Sequence, residues 1–326
     1  MKVTVLGAGA WGTALGLVLQ RRLHDVVLWG HDADHLKAVA DAGINERYLP
    51  GVKLPGDWTY EPDLQRAVSG SHAVVVAVPS KAMREVARGL TGYRGILVSV
   101  TKGIERETGL TMCGVLSENA LGARVAALSG PTLAMEVARG IPSATVGASR
   151  DIATAQVVQE MFHSIPFRVY TSTDMVGVEM AGALKNVVAI AAGVCDGFGF
   201  GDNSKAALLT RGIVEIRRLG VACGAQPETF AGLSGLGDLT VTCFSKLSRN
   251  RGLGERLGRG ESLESILANS VSVAEGYPTA RAAYDLARRL AVNTPIVDEV
   301  YSVLYEGKNV AQALRDLVER ESKAED

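Results

Sequence analysis

Apolar runs rich in Val mark the first half of the chain, and helical patterns separate them. The runs Val3–Leu6, Val26–Trp29, Ala73–Val78, Ile96–Val100, Val125–Leu128, Ala144–Val146 and Phe167–Tyr170 read as strands buried on both faces. Between them, residues 12–22, 34–42, 81–90, 111–120, 133–139 and 152–163 carry the periodicity of helices. Such alternation predicts an α/β domain with a doubly wound, mostly parallel sheet, covered by helices on both faces. Residues 44–55, with Pro50, Gly51 and Pro55, read as a loop that delays the third strand.

Beyond about residue 173 the strand pattern stops. Asp174 is placed to cap a long helix running to about Cys195. Helical periodicity returns at 205–219, 253–257, 262–268, 279–290, 296–305 and 310–320. The expected organisation is a dinucleotide-binding α/β domain over residues 1–173 and an all-helical substrate domain over 174–326, with a charged tail and no long linker.

Composition narrows the function. The 326 residues fit two domains, and 34 Lys plus Arg against 35 Asp plus Glu give a net charge of −1. A nucleic-acid partner would call for a clearly basic chain. With 47% hydrophobic residues, disorder is excluded. Cys113, Cys195, Cys223 and Cys243 lie far apart with no CxxC and no Cys/His cluster, which argues for reduced cytosolic thiols and against a disulfide framework or a metal site.

Two stretches raise a membrane reading. Residues 3–20 are uncharged after Lys2, but Gly7, Gly9, Gly12 and Gly16 suit a strand, turn and helix better than a spanning segment. Met180–Val194 is interrupted by Lys185, an unfavourable residue to leave in lipid, so it reads as a buried helix and not as an integral membrane segment.

Gly7-Ala8-Gly9-Ala10-Trp11-Gly12 is a G-x-G-x-x-G pattern that follows an apolar strand and opens a helix, the context a dinucleotide requires. Gly7 permits the turn, Gly9 lets backbone approach a pyrophosphate, and Gly12 lets helix pack on strand. The second strand ends in Trp29-Gly30-His31-Asp32. No acid stands at 30 or 31 to repel a 2′-phosphate, and Asp32 serves equally as a helix cap. The preferred cofactor is therefore NADPH, with NADH tolerated.

Further candidates lie beyond strand ends and on the helices. Lys102, in Val100-Thr101-Lys102-Gly103, follows a strand whose carboxyl end faces a ligand crevice in this fold. Ser129-Gly130-Pro131-Thr132 opens another helix, as cap or as anion contact. Lys185 has small or apolar neighbours at nearly every i±3 and i±4 position. Such a lysine snorkels, pairs, or loses its proton more easily, so it is either an acid/base group or half of an ion pair. Gly235-Leu236-Gly237-Asp238 offers Asp238 as a partner for a buried lysine, and Ser248-Arg249-Asn250 offers a guanidinium able to grip phosphate.

Taken in order, Gly7–Gly12, Val100–Gly103, Ser129–Thr132, Leu184-Lys185-Asn186-Val187, the run GFGFGDNSKAALLTRG from Gly197 to Gly212, Gly235–Leu239, Ser248–Asn250 and Val273-Ala274-Glu275-Gly276 resemble the bacterial-type NAD(P)-dependent glycerol-3-phosphate dehydrogenases. The resemblance runs from the first strand to about Leu317. It implies a Rossmann-type domain followed by an all-helical one, in a cytoplasmic homodimer supplying glycerol phosphate for phospholipids. It implies that Lys185 is the proton donor and acceptor, supported by Asn186, Asp238 and Thr242. It implies that Lys102, Gly130, Thr132, Lys185, Asp238, Ser248, Arg249 and Asn250 hold dihydroxyacetone phosphate or glycerol 3-phosphate. Gly7, Gly9, Ala10, Trp11, Gly12, His31, Lys102, Ala134, Arg249, Val273 and Glu275 are implied to contact the nicotinamide cofactor. No metal enters the implied chemistry. Three other readings stand beside it: a ketopantoate or 3-hydroxyacid reductase, a nicotinamide-binding redox sensor without turnover, and a thiol-dependent sugar-nucleotide dehydrogenase.

Overall fold

The computed structural model describes residues 1–269 and 274–320. They form two compact units, one of Met1–Glu105 with Leu110–Glu179, the other of Arg106–Gly109 with Met180 onward.

In the first unit the order is β1 (Lys2–Leu6), α1 (Ala10–Arg21), β2 (Asp25–Trp29), α2 (Ala33–Ala42), β3 (Thr59–Tyr60), α3 (Leu64–Val68) and β4 (Ala73–Val76). Then follow α4 (Met83–Arg88), β5 (Ile96–Ser99), α5 (Met112–Asn119), β6 (Arg124–Ser129), α6 (Ala134–Ala138), β7 (Ser143–Ala148), α7 (Ile152–Phe162) and β8 (Phe167–Ser172). The eight strands make one sheet in the order β3-β2-β1-β4-β5-β6-β7-β8. Connections run outward from β1 in both directions, so a strand-order reversal falls beside β1.

The two-residue period of the strands sorts their side chains into two cores. Val3, Val5, Ala73, Val75, Ile96 and Val98 join one apolar cluster with Leu15 and Val18 of α1 and Phe162 of α7. Their neighbours Leu6, Val74, Val76 and Leu97 join another with Ala67 of α3, Met83 and Val86 of α4, and Val115 and Leu116 of α5.

One feature corrects the expectation and another bears it out. Strand β3 has only two residues, too short for an apolar run to register. And β7 runs antiparallel to β6, although β7 and β8 are parallel to each other. The sheet is thus mostly parallel, as expected.

Helix α8 (Met175–Gly197) crosses the unit boundary. Asp174 caps it, accepting the Gly177 N–H at 2.9 Å. The first turn of α8 groups with the α/β unit. There Met175 and Val178 pack with Cys113, Ala127 and Ala148, and Glu179 accepts the Cys113 N–H at 2.8 Å. α8 is long and apolar enough to span a bilayer, yet 94% of its most apolar window is buried within the protein.

The second unit continues with α9 (Asp202–Ala222), a short turn at Pro227–Ala231, a π-helical turn at Leu233–Gly237, and α10 (Asp238–Phe244). Then come α11 (Arg249–Gly258), α12 (Leu263–Ala268), α13 (Gly276–Arg289), α14 (Pro295–Tyr305) and α15 (Val310–Val318). Arg106 ties its segment to α13 through Asp285 at 2.8 Å.

Glu215 of α9, buried, accepts the Ile296 and Val297 N–H groups at 2.9 and 2.8 Å, satisfying two orphan donors of α14. Burial pushes its carboxyl up from 4.5 to about 7 despite those two bonds. A raised acid binds its proton more tightly in the folded state. Its stabilising contribution is complete below the unfolded value of 4.5 and is lost as pH rises through about 7. Over that window wild type should lose stability relative to Glu215→Gln by about 3 kcal/mol, from 1.36 kcal/mol per unit. Urea titrations of both proteins across the window check this; parallel curves would contradict it.

Candidate active site

The candidate residues fall in two groups, one in each unit, and each is described by itself.

In the α/β unit the glycine loop turns from β1 into α1. Gly7 has φ 121°, and a Cβ there would stand 2.6 Å from the Ala77 carbonyl oxygen. A Cβ on Gly12 would stand 2.0 Å from the Gly7 carbonyl oxygen, so helix and turn touch backbone to backbone. At Gly9 a Cβ would meet nothing within 4 Å, and Gly9 caps α1 without a side chain. The N–H groups of Ala10, Trp11 and Gly12 therefore begin a helix with no acidic residue in its first turn, a fit for the pyrophosphate of a dinucleotide.

Sequence reading missed the residue that braces this loop. Buried Asn45 donates from Nδ2 to the Ala8 carbonyl at 3.0 Å and to Thr13 Oγ1 at 2.9 Å. It sits in the segment read only as loop, and contacts of that sequence separation leave no periodic signal.

At the end of β2, His31 is exposed. Asp32 is the N-cap of α2, accepting the His35 N–H at 2.9 Å. That bond, more than any other influence, holds the Asp32 carboxyl below its usual range. Arg47, also unremarked in the sequence, lies 3.8 Å from Asp32 Oδ2. The cap role fixes Asp32 to its own helix, and the edge carries a cation beside it.

Beyond β5 and β6, Lys102 Nζ donates to the Gly130 carbonyl at 3.3 Å, and Thr132 Oγ1 donates to the same oxygen at 3.2 Å. Lys102, Gly130 and Thr132 thus share one contact, and Ala134 opens the short α6 after them. A Cβ on Gly130 would stand 2.9 Å from Thr145 Cα, so β7 leaves room only for glycine.

In the helical unit, Lys185 of α8 is 6% exposed and Asp238 of α10 is 1% exposed. Lys185 Nζ donates to Asp238 Oδ1 at 2.5 Å and to Thr242 Oγ1 at 2.5 Å. Thr242, one turn after Asp238, lies 2.6 Å from the Asp238 carbonyl oxygen, which accepts its hydroxyl proton. Asp238 is delivered by the π-helical turn, where a Cβ on Gly235 would stand 2.1 Å from the Phe230 carbonyl oxygen.

Beside Lys185, Asn186 Oδ1 accepts from Asn250 Nδ2 at 2.9 Å, and Asn250 Oδ1 accepts the Gly276 N–H at 2.8 Å. Ser248 is the N-cap of α11 and accepts the Arg251 N–H at 3.2 Å. Arg249 is exposed between buried Ser248 and Asn250. Glu275, half-buried, immediately precedes α13; Val273 lies outside the described residues. Among the described residues no group of three His, Cys, Asp or Glu is placed to hold a metal ion. Cys113, Cys195, Cys223 and Cys243 all have thiols raised by burial, the opposite of what a nucleophilic cysteine needs.

A side-chain-free helix start on a doubly wound sheet, and a helical unit with a buried lysine–aspartate pair, define an oxidoreductase that uses a nicotinamide dinucleotide. Models of the NAD-dependent glycerol-3-phosphate dehydrogenase N-terminus and C-terminus match residues 2–155 and 174–315. The chain belongs to this family. Glycerol-3-phosphate dehydrogenase (NAD(P)+) of Chlorobium limicola is 48% identical over 331 residues, covering 100% of this chain and 99% of its own. The enzyme of the same name from Desulfotalea psychrophila is 48% identical over 334 residues, covering 99% and 98%. The crystal structure of glycerol-3-phosphate dehydrogenase from Coxiella burnetii superposes with a TM-score of 0.94 at 37% identity, covering 98% of this chain and 99% of that one. A ketopantoate reductase from Ralstonia eutropha shares the fold alone, with a TM-score of 0.62 at 17% identity, covering 96% and 100%.

Proposed function

We propose that this chain interconverts dihydroxyacetone phosphate and sn-glycerol 3-phosphate, with Lys185 as the proton donor and acceptor. The buried cluster of Lys185, Asp238 and Thr242 carries this reading. An ammonium held between a carboxylate and a hydroxyl is fixed in place, and it carries an N–H proton that acid/base catalysis can transfer. In the reductive direction that N–H is given to the C2 oxygen, and its charge stabilises the alkoxide as it forms. In the oxidative direction neutral Lys185 takes the hydroxyl proton. Asp238 steers the amine and balances its charge; Asn186, fixed by Asn250, keeps the adjoining turn of α8 in register. Arg249 grips the phosphate, with Ser248 and Asn250 beside it, and Lys102, Gly130 and Thr132 are further substrate contacts. Gly7, Gly9, Ala10, Trp11 and Gly12 hold the cofactor pyrophosphate, and His31, Lys102, Ala134, Arg249, Val273 and Glu275 touch the remainder. The nicotinamide, when bound, supplies or accepts the hydride at C2.

NADPH is the preferred cofactor: no acid stands at 30 or 31 to repel a 2′-phosphate, Asp32 is engaged as a cap, and Arg47 lies beside it. The enzyme works as a cytoplasmic homodimer and supplies the glycerol phosphate of phospholipids. The test is a substrate panel: NADPH and NADH consumption with dihydroxyacetone phosphate and with unphosphorylated dihydroxyacetone. Rapid oxidation with the phosphorylated ketone alone supports the reading, and equal rates with both oppose it.

His31→Glu should shift preference toward NADH, since a carboxylate there repels the 2′-phosphate and serves the ribose hydroxyls instead. The ratio of kcat/KM for the two cofactors reports it. An unchanged ratio would mean that His31 does not face the ribose.

A further inference from the structure

The run from Gly197 to Gly212 has no place in the chemistry above, yet it begins beside Asp196 and contains Lys205, two members of a second buried charge cluster. Asp196, at the last turn of α8, pairs through Oδ1 with Lys205 in the first turns of α9. Its Oδ2 lies 2.6 Å from Arg251 Nε of α11, an ion pair whose N–H is not aligned as a hydrogen bond. Lys205 and Arg251 are 7% and 8% exposed. Glu255 holds the other side of Arg251 at 3.1 Å. One carboxylate thus ties three helices together.

The contact it ties has almost no side chains in it. A Cβ on Gly193 of α8 would stand 1.9 Å from the Arg251 carbonyl oxygen, and one on Gly254 of α11 would stand 1.9 Å from the Ile190 carbonyl oxygen. Gly197 against Glu255 and Gly258 against Val194 extend the contact by a turn. Glycine on glycine lets backbones approach closely but offers no knobs to set the axial register. The register matters, because α11 begins with Arg249 and Asn250, and Asn250 meets Asn186 next to Lys185. A slip by one residue would move Arg249 about 1.5 Å along the helix relative to Lys185.

We propose that Asp196 is a positioning residue: with Lys205 and Arg251 it locks α11 on α8, so that Arg249 reads the substrate phosphate at the distance Lys185 needs. This rests on the reading of Arg249 as the phosphate contact. Asp196 touches neither substrate nor cofactor. Asp196→Asn keeps the shape and leaves two buried cations without their shared charge.

The test is a double-mutant cycle with Arg249→Ala, measured as kcat/KM for dihydroxyacetone phosphate, with circular dichroism as the control for folding. Asp196→Asn should lower kcat/KM by about 10²-fold, the effect of a displacement of about 1 Å. It should leave the circular-dichroism spectrum unchanged. Once Arg249 is gone its placement no longer matters, so the double mutant should be within about threefold of Arg249→Ala alone. Multiplicative losses, with Arg249→Ala itself damaging, overturn the proposal and leave the phosphate reading intact. If Arg249→Ala does not impair the enzyme, the phosphate reading fails and the proposal falls with it. If Asp196→Asn does not fold, Asp196→Glu, which keeps the charge and displaces it, goes through the same cycle. Unfolding of both assigns the cluster to stability alone and overturns the proposal.

Discussion

Lys185→Met should turn over dihydroxyacetone phosphate about 10²- to 10⁴-fold more slowly than wild type, the range for one positioned acid/base group. Methionine keeps the length and apolar packing of the side chain and removes only the proton and charge. The cost is not confined to catalysis. Asp238 is 1% exposed and loses the ammonium paired with it, and breaking a buried ion pair on one side destabilises by about 3–5 kcal/mol. Lys185→Met combined with Asp238→Asn should recover most of that stability and none of the turnover, which separates the two effects. NADPH affinity should stay within a few-fold of wild type, because the glycine loop belongs to the other unit. Measurements of kcat, Tm and cofactor Kd on both proteins decide the matter. Near-normal turnover in folded Lys185→Met would assign the proton to another group.

Arg249→Ala should weaken the productive interaction with dihydroxyacetone phosphate by about 2–5 kcal/mol, the usual loss when one partner of a desolvated charge pair is removed. That is roughly 30- to 5000-fold in kcat/KM. Arg249 is exposed in the first turn of α11, so truncating its side chain takes little from the core and the fold should be unaffected. The loss should be far smaller with unphosphorylated dihydroxyacetone, which offers no dianion to grip. Equal losses on both substrates would show that Arg249 does not read the phosphate. Arg249→Lys should recover part of the loss, since it restores a charge without the bidentate fork.

The parts of this molecule that the sequence made legible have strong local causes. The turn from β1 into α1 is spelled by an apolar run and three glycines: Gly7 adopts φ 121°, Gly12 packs on the Gly7 carbonyl, and Gly9 starts the helix without a side chain. Lys185 announces itself by contrast with its neighbours on a helix that is otherwise apolar. What was missed depends on distant partners. An apolar run specifies that β7 is buried but not its direction, and its antiparallel pairing follows from the path of the chain. Helix α11 starts at Arg249, earlier than its periodicity suggests, because Gly252, Gly254 and Gly258 dilute the pattern. Two of those glycines are there for the contact with α8. Asn45 and Arg47 act across the chain from a segment with no period at all. The partnership of Lys185 with Asp238 spans 53 residues; the sequence supplied both groups, and only the fold brings them to 2.5 Å.

The central claim is that the amine of Lys185, and not merely its bulk, moves the proton. Chemical rescue tests this most directly. Lys185→Ala removes the side chain and opens space beside Asp238 and Thr242 for a small primary amine. On this account, adding methylamine or ethylamine restores NADPH oxidation with dihydroxyacetone phosphate in a concentration-dependent way, and tetramethylammonium, which carries charge but no proton, does not. A folded, NADPH-binding Lys185→Ala enzyme that no amine revives, or that tetramethylammonium revives equally well, would contradict it.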